Sequence, residues 1–302
     1  MKITINTSSF GVHDPAPLNQ LKKNKIECSL NPHKRVLTED EIIDLAKGVD
    51  GIIAGTEPLN ARVLHALPDL KVISRCGVGV DNVDLKTAKD LGIEVFTTPN
   101  GPTAAVGELT VGMILNLLRN ISVMNQELKS GVWQKRFGNL LYGKRIGIIG
   151  FGRIGQKLAQ LLSSFEVDIA YSDLENIRTE LATPKKEFND LISWADIITI
   201  HTSGSKNGKA IIGVSEIEQM KRGALLVNVS RGGLVDESVL YKALVDGKLA
   251  GAALDVFERE PYDGPLKECG NVLLTPHIGS YAMEARVQME IQAVENLIRG
   301  LT

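Results

Sequence analysis

Three features of this 302-residue sequence predict an α/β fold of two doubly wound parallel-sheet domains. Segments of strand character alternate with segments of helical period along the whole length, the order that produces parallel sheets. A run of Gly150-Phe151-Gly152-Arg153-Ile154-Gly155 lies between a buried strand at 145–149 and a helix with apolar residues at Leu158, Leu161, Leu162 and Phe165. Thr98-Pro99-Asn100-Gly101-Pro102, dense in turn formers, separates the elements into two sets.

The first set opens with a strand at 2–6, a helix at 14–23 and a strand at 27–30. Thr38 followed by Glu39-Asp40-Glu41 is a capping-box pattern for a helix ending near Gly48. A buried strand at 51–54 comes next, then a helix capped by Asn60 and a strand at 71–74 leading into Gly77-Val78-Gly79. A helix at 84–91 and a strand at 94–97 complete a flavodoxin-like unit. From 103 to about 130 the sequence reads as one long helix, apolar nearly all round from Ala104 to Met124. Such a helix must be covered on more than one side. The expectation is a homodimer through this part of the chain, with burial inside a single chain as the alternative.

In the second set each glycine of the turn has a task. Gly150 permits the tight turn, Gly152 lets a pyrophosphate approach the backbone, and Gly155 brings helix and strand together. The N–H groups of Arg153 and Ile154 then face the diphosphate at the helix start. An apolar run at 167–171 ends at Asp173, about where an acid reaches the adenosine ribose. A carboxylate there repels a 2′-phosphate, so the cofactor expected is NAD and not NADP. Further strands at 196–201, 224–228, 251–255 and 272–275 alternate with helices at 191–195, 215–220, 236–245 and 280–301. With the first two this makes six parallel strands, the count of a Rossmann dinucleotide-binding domain.

Ligands of such sheets bind beyond the carboxyl ends of the strands. Those ends carry His201-Thr202, Asn228-Val229-Ser230-Arg231-Gly232-Gly233, Asp255 with Glu260 shortly after, and Pro276-His277-Ile278-Gly279. Arg231, Glu260 and His277 together suit reduction of a 2-keto acid. A carboxylate wants the planar fork of a guanidinium, and a carbonyl accepting hydride wants a proton donor that titrates near neutrality. A glutamate on the far ring nitrogen fixes the tautomer.

The balance of 43% hydrophobic and 23% charged residues is that of an ordinary soluble chain, and a net charge of −2 gives no reason to expect nucleic acid or an anionic membrane as partner. The start MKITINTSSF is strand-like, and no apolar run approaches the roughly 20 residues a bilayer needs, so a cytoplasmic protein is expected. Cys28, Cys76 and Cys269 are too scattered for a disulfide framework or a zinc site, and no metal is expected.

Five blocks carry a family resemblance: residues 74–85 (SRCGVGVDNVDL), 143–155 (GKRIGIIGFGRIG), 228–237 (NVSRGGLVDE), 253–261 (ALDVFEREP) and 275–280 (TPHIGS). In this order they resemble the D-isomer-specific 2-hydroxyacid dehydrogenases, the phosphoglycerate and glycerate dehydrogenase group, over essentially the whole chain. The resemblance implies a Rossmann NAD-binding domain, 99–281, inserted in a flavodoxin-like substrate domain, 1–98 plus 282–302. It implies His277 as proton donor, Glu260 as its partner and Arg231 as anchor of a small anionic 2-hydroxy or 2-keto acid. It places Asp255, Val229 and Ser230 on the nicotinamide side, Thr202 and Val78 against the cofactor, and Gly279 and Ser280 beside it. Backbone N–H groups of Val78 and Gly79 would hold the substrate carboxylate.

Two departures from the family pattern bear on the substrate. Thr202-Ser203-Gly204-Ser205 stands where many relatives have a proline-containing loop, and Gly55-Thr56-Glu57 offers an acid where phosphoglycerate enzymes carry arginine. Arg75, Lys135 and Arg136 are the cations that a phosphate would use. Phosphohydroxypyruvate, hydroxypyruvate and glyoxylate therefore all stay open, while formate is disfavoured by Glu260, since that branch has glutamine there. A non-catalytic NAD-sensing protein, corepressor-like, is the rival from another class; the intact Arg231, Glu260, His277 set speaks against it.

Overall fold

The computed structural model describes residues 1–204 and 208–302; Ser205, the last residue of the departing Thr202 loop, lies outside them. The described chain divides into two compact units, one of Met1–Pro102 with Ser280–Thr302 and one of Thr103–Gly279, set against sequence-based bounds of 1–98 with 282–302 and 99–281.

In the first unit, β1 (Lys2–Ile5), α1 (Ala16–Lys23), β2 (Glu27–Leu30), α2 (Glu39–Leu45), β3 (Gly51–Ala54), α3 (Ala61–His65), β4 (Val72–Arg75), α4 (Leu85–Asp90) and β5 (Glu94–Thr97) follow in sequence. The sheet is wholly parallel, in the order β2-β1-β3-β4-β5. Its central strands are buried on both faces, which is why β3 reads as an unbroken apolar run, and in β4 even Ser74 and Arg75 are buried. Both caps foreseen in the sequence form. Thr38 and Glu41 make the reciprocal capping box, and Asn60 accepts from Val63 N at 3.1 Å. The last helix of the chain, Met283–Leu301, belongs to this unit. It lays Met289, Ala293, Val294 and Leu297 against Ile3, Ile5, Ile53 and Val72.

The second unit begins with α5 (Pro102–Arg119) and α6 (Ile121–Lys129). Its sheet elements are β6 (Arg145–Ile149), α7 (Arg153–Leu162), β7 (Asp168–Ser172), α8 (Phe188–Trp194), β8 (Ile197–Ile200), α9 (Val214–Gln219), β9 (Ala224–Asn228), α10 (Glu237–Val245), β10 (Leu249–Leu254) and β11 (Val272–Leu274). All six strands are parallel, in the order β11-β10-β9-β8-β6-β7. Beyond β7, where the usual dinucleotide sheet adds another strand, there is a single parallel bridge between Tyr171 and Lys185. The strand order reverses between β6 and β8, so the glycine turn after β6 lies at the switch point. Two cores cover the two faces of the sheet: Ile198, Ile200 and Leu226 point into one, Ile197, Leu225 and Val227 into the other.

The single helix expected over 103–130 is broken. The chain turns at Asn120, which adopts the left-handed conformation at φ +52°, and α5 and α6 diverge by 65°. The break is held from both sides. Asn116 Oδ1 accepts from Ser122 N at 2.8 Å, Asn139 N donates to Leu118 O at 2.8 Å, and Asn120 Nδ2 donates to Phe137 O at 3.2 Å. Asparagine tolerates this conformation better than other β-carbon residues because its short amide bonds locally. No single helix among the described residues is long and apolar enough to cross a membrane. The three cysteines are free, and burial pushes the Cys76 thiol up to about 11.

Candidate active site

The turn after β6 is shaped for a phosphate. Gly150 has φ +88°, and a β-carbon on it would lie 2.7 Å from Thr202 N at the end of β8. A β-carbon on Gly155 would lie 2.3 Å from Gly150 O, so only glycine lets α7 start this close to β6. Around Gly152 the space is open, with nothing within 4 Å of such an atom. Gly152 is also the N-cap of α7 and brings no side-chain cap, which leaves the first N–H groups of the helix, those of Arg153 and Ile154, to an outside acceptor. Asp173 follows β7 directly. Its Oδ2 accepts from Phe151 N at 2.7 Å and its Oδ1 from Glu175 N at 3.0 Å, which ties the acid to the glycine turn. These residues fit the diphosphate and ribose of a dinucleotide.

Register brings the other candidates together. Asn228, Leu254 and Leu274 end neighbouring strands β9, β10 and β11, with Leu254 paired to both of the others. From these ends come Arg231, then Asp255 and Glu260, then His277. The Glu260 carboxylate meets His277 Nδ1 at 2.8 Å through Oε2 and accepts from Phe257 N at 3.1 Å through Oε1. A carboxylate in that position only accepts, so Nδ1 carries the proton and Nε2 is the ring nitrogen turned to chemistry. His277 stands half exposed at φ +55°.

The loop carrying His277 is held by Asp255. This carboxylate is fully buried and accepts from Thr275 Oγ1, from Ile278 N at 2.7 Å and from Gly279 N at 2.8 Å. Burial pushes the Asp255 carboxyl above its ordinary range, against those three donors and the His277 charge. Expected at the nicotinamide side, Asp255 spends both oxygens on the loop.

Asn228 shapes the neighbouring loop. Its Oδ1 accepts from Ser230 N and Oγ, and its Nδ2 donates to Arg231 O at 2.8 Å. Arg231 Nη1 donates to Ser230 O at 2.7 Å. Gly232 packs on the next loop: a β-carbon there would lie 1.7 Å from Phe257 O. The close approach of this glycine is to the protein's own backbone. Val229 is buried in the core, so it can offer a ligand only its backbone. His201 is half-buried as a residue but its ring is enclosed, with Nε2 on Thr199 Oγ1 at 2.8 Å and Nδ1 inaccessible and unpaired, and burial of the ring pushes its pKa down to about 3.

In the first unit Gly77-Val78-Gly79 follows β4, with Gly77 at φ +155° and Val78 exposed. Glu57 does not face solvent: it is buried, and both its oxygens accept from Gly55 N. Arg75 is buried as well, and Arg136 in the second unit pairs with Glu127. Sequence reasoning missed the part played by Asn228; an asparagine closing a strand just before a glycine-rich turn was the available signal.

A parallel sheet with this glycine turn, an acid after the next strand, and a glutamate-histidine pair at the rim defines an NAD-dependent oxidoreductase. Residues 111–279 match the family model described as D-isomer specific 2-hydroxyacid dehydrogenase, NAD binding domain. The hydroxypyruvate reductase of Thermotoga maritima is 35% identical, covering 97% of this chain and 98% of its own. The D-3-phosphoglycerate dehydrogenase of Methanocaldococcus jannaschii is 41% identical over 87% of this chain, which spans about half, 52%, of that protein. Among solved structures, the TT0316 protein of Thermus thermophilus superposes with a TM-score of 0.92 at 32% identity, covering 100% of this chain and 97% of that one. The chain belongs to the D-isomer specific 2-hydroxyacid dehydrogenase family. It is an NAD-dependent enzyme acting on a small 2-hydroxy or 2-keto acid.

Proposed function

We propose that this enzyme reduces a small unphosphorylated 2-keto acid, hydroxypyruvate or glyoxylate, to the corresponding 2-hydroxy acid. The observation that carries the reading is the contact of 2.8 Å between Glu260 and His277 Nδ1, which presents Nε2 as proton donor. Bound NADH supplies the hydride to the carbonyl carbon. Arg231 grips the substrate carboxylate and polarises the carbonyl, His277 delivers its proton to the carbonyl oxygen, and Glu260 stabilises the imidazolium that donates it. Fixed charges aimed at a developing alkoxide are commonly the largest part of catalysis. Val78 and Gly79 give backbone N–H groups to the carboxylate, and the first unit is the substrate-binding one. Gly150, Gly152, Arg153, Ile154 and Gly155 hold the diphosphate and Asp173 the ribose. Thr202, Val78, Val229, Ser230, Asp255, Gly279 and Ser280 border the nicotinamide half, with Asp255 acting through the loop it anchors.

The preference for an unphosphorylated acid is supported by the fate of the cations. Of the three cations, Arg75 is packed beneath a loop and Arg136 is paired with Glu127, while Lys135 stands exposed, so two of the three are already engaged. The near-complete mutual coverage with a hydroxypyruvate reductase points the same way. The test is NADH oxidation with hydroxypyruvate, glyoxylate and phosphohydroxypyruvate side by side. A higher kcat/KM for one of the first two is expected, and a clear preference for the phosphorylated acid would overturn the assignment. The free thiols and the need for an NAD(H) pool support a cytoplasmic enzyme. Apolar side chains left uncovered on α6 and the segment after it support a homodimer through the second unit.

A further inference from the structure

We propose that Glu57, Arg75 and Asn82 form a positioning network that fixes the Gly77-Val78-Gly79 loop for carboxylate binding, an inference resting on the reading that Val78 and Gly79 N–H meet the substrate. Gly77 is held at three points. Its N–H donates to Thr98 Oγ1 at 2.8 Å and to Arg75 O at 2.9 Å, its carbonyl accepts from Thr98 N at 2.9 Å, and the side where a β-carbon would stand is filled by the Arg75 guanidinium. A β-carbon at Gly77 would come within 2.5 Å of Arg75 Nη1, 2.9 Å of Cζ and 3.1 Å of Nη2. The guanidinium is therefore a strut under the loop. It leaves the N–H groups of Val78 and Gly79 without an acceptor among the described residues.

The strut is itself fixed. Arg75 Nη1 donates to Cys76 O, and Nε to Asn82 Oδ1 at 3.4 Å. Asn82 Nδ2 reaches Gly55 O at 3.2 Å and Glu57 O at 2.6 Å, which binds the turn after β3 to the segment after Gly79. Glu57 is 1% exposed, and its carboxylate accepts from Gly55 N through both oxygens, which fixes the turn that Asn82 bridges. Asn6 Nδ2 lies beside the same carboxylate without a hydrogen bond of normal geometry. What the network supplies is a fixed place for a rigid fork directly beneath the loop.

The test is a KM-against-kcat split on the whole enzyme with its best 2-keto acid, alongside NADH affinity. Glu57→Gln keeps the shape and removes the charge, and Arg75→Lys keeps the charge and removes the fork. Each is expected to raise KM for the keto acid by about tenfold, the scale of one misaligned charged hydrogen bond, with NADH affinity unchanged and kcat reduced less than KM rises. In the double variant the effects should not multiply, because they act through one strut. Val78→Pro, which deletes one donor, separates the network from the carboxylate reading beneath it. If Val78→Pro raises KM while Glu57→Gln and Arg75→Lys do not, the network is overturned and the carboxylate reading stands. If Val78→Pro leaves KM unchanged, the loop does not bind the carboxylate and both fall. Should Glu57→Gln fail to fold, Arg75→Lys alone decides.

Discussion

His277 holds a left-handed backbone conformation that costs a residue with a β-carbon about 1–2 kcal/mol. Asp255 offsets this by accepting from the two N–H groups that follow it. The ring is thus placed by the loop and oriented by Glu260, two separable jobs. His277→Ala should lower kcat by about 100-fold or more, the scale of a lost general acid. Glu260→Gln, which keeps a hydrogen-bonding group of the same shape but loses the charge that stabilises the imidazolium, should cost less than His277→Ala, and equal losses would contradict this division of roles. His201 gives a prediction about pH. Burial lowers its folded pKa to about 3 from an ordinary 6.5, so above pH 6.5 both states are neutral and nothing is at stake. Below 6.5 the unfolded chain takes up a proton that the folded one refuses, and stability falls with pH, by at most about 1.4 kcal/mol per unit. The buried carboxylates Glu57, Asp255 and Glu290, all raised by burial, pull the other way in more acidic solution. The difference between wild type and His201→Gln isolates the imidazole: the melting temperature should drop less from pH 7 to pH 5 in the variant.

At the scale of the elements, the site is three strand ends in register, and Gly232 sets the spacing between two of the loops they carry. A methyl group there would meet the Phe257 carbonyl at 1.7 Å, with backbone on both sides and no flexible side chain to yield. Gly232→Ala should destabilise by about 1–3 kcal/mol or more and lower kcat through Arg231 and Glu260 together. Gly270→Ala, in open space at ordinary φ, should stay within about 0.5 kcal/mol. Denaturant melts of the pair check this directly. Contacts of this kind mark the limit of what the sequence could tell. Strands buried on both faces, the caps at Thr38 and Asn60, and the tasks of Gly150 and Gly155 follow from local chemistry and were legible. So was the meeting of Glu260 and His277, because parallel strands put their carboxyl ends on one rim. The partners of Asp255 and Gly232 depend on register between strands well separated along the chain, which no local pattern encodes. The bend at Asn120 was hidden for the same reason: residues 137–139 return to cap α5, while the apolar run continues across the break as though the helix did.

That bend decides which apolar surface the whole molecule leaves uncovered. A single long helix apolar on every side would need covering along its length. The structure instead buries Val106, Met113, Ile114 and Leu118 of α5 in its own core. Past the bend α6 has no buried residue, and Ile121, Leu128, Val132, Trp133, Phe137, Leu140 and Tyr142 all stand exposed, Trp133 at 80% and Phe137 completely. A stable interface takes about 800 Å² from each partner. Three aromatic side chains at roughly 150–250 Å² each supply most of that, and the four aliphatic ones supply the rest. A patch of this size on a lone chain would invite aggregation, so a second copy packed on the same segment by two-fold symmetry is the expected remedy. Sedimentation at micromolar concentration should show a dimer. Trp133→Lys with Phe137→Asp should yield a folded monomer, since those side chains protrude from the chain that carries them. A wild-type monomer, or a double variant that stays dimeric with its circular dichroism intact, would remove α6 and the following segment from the interface.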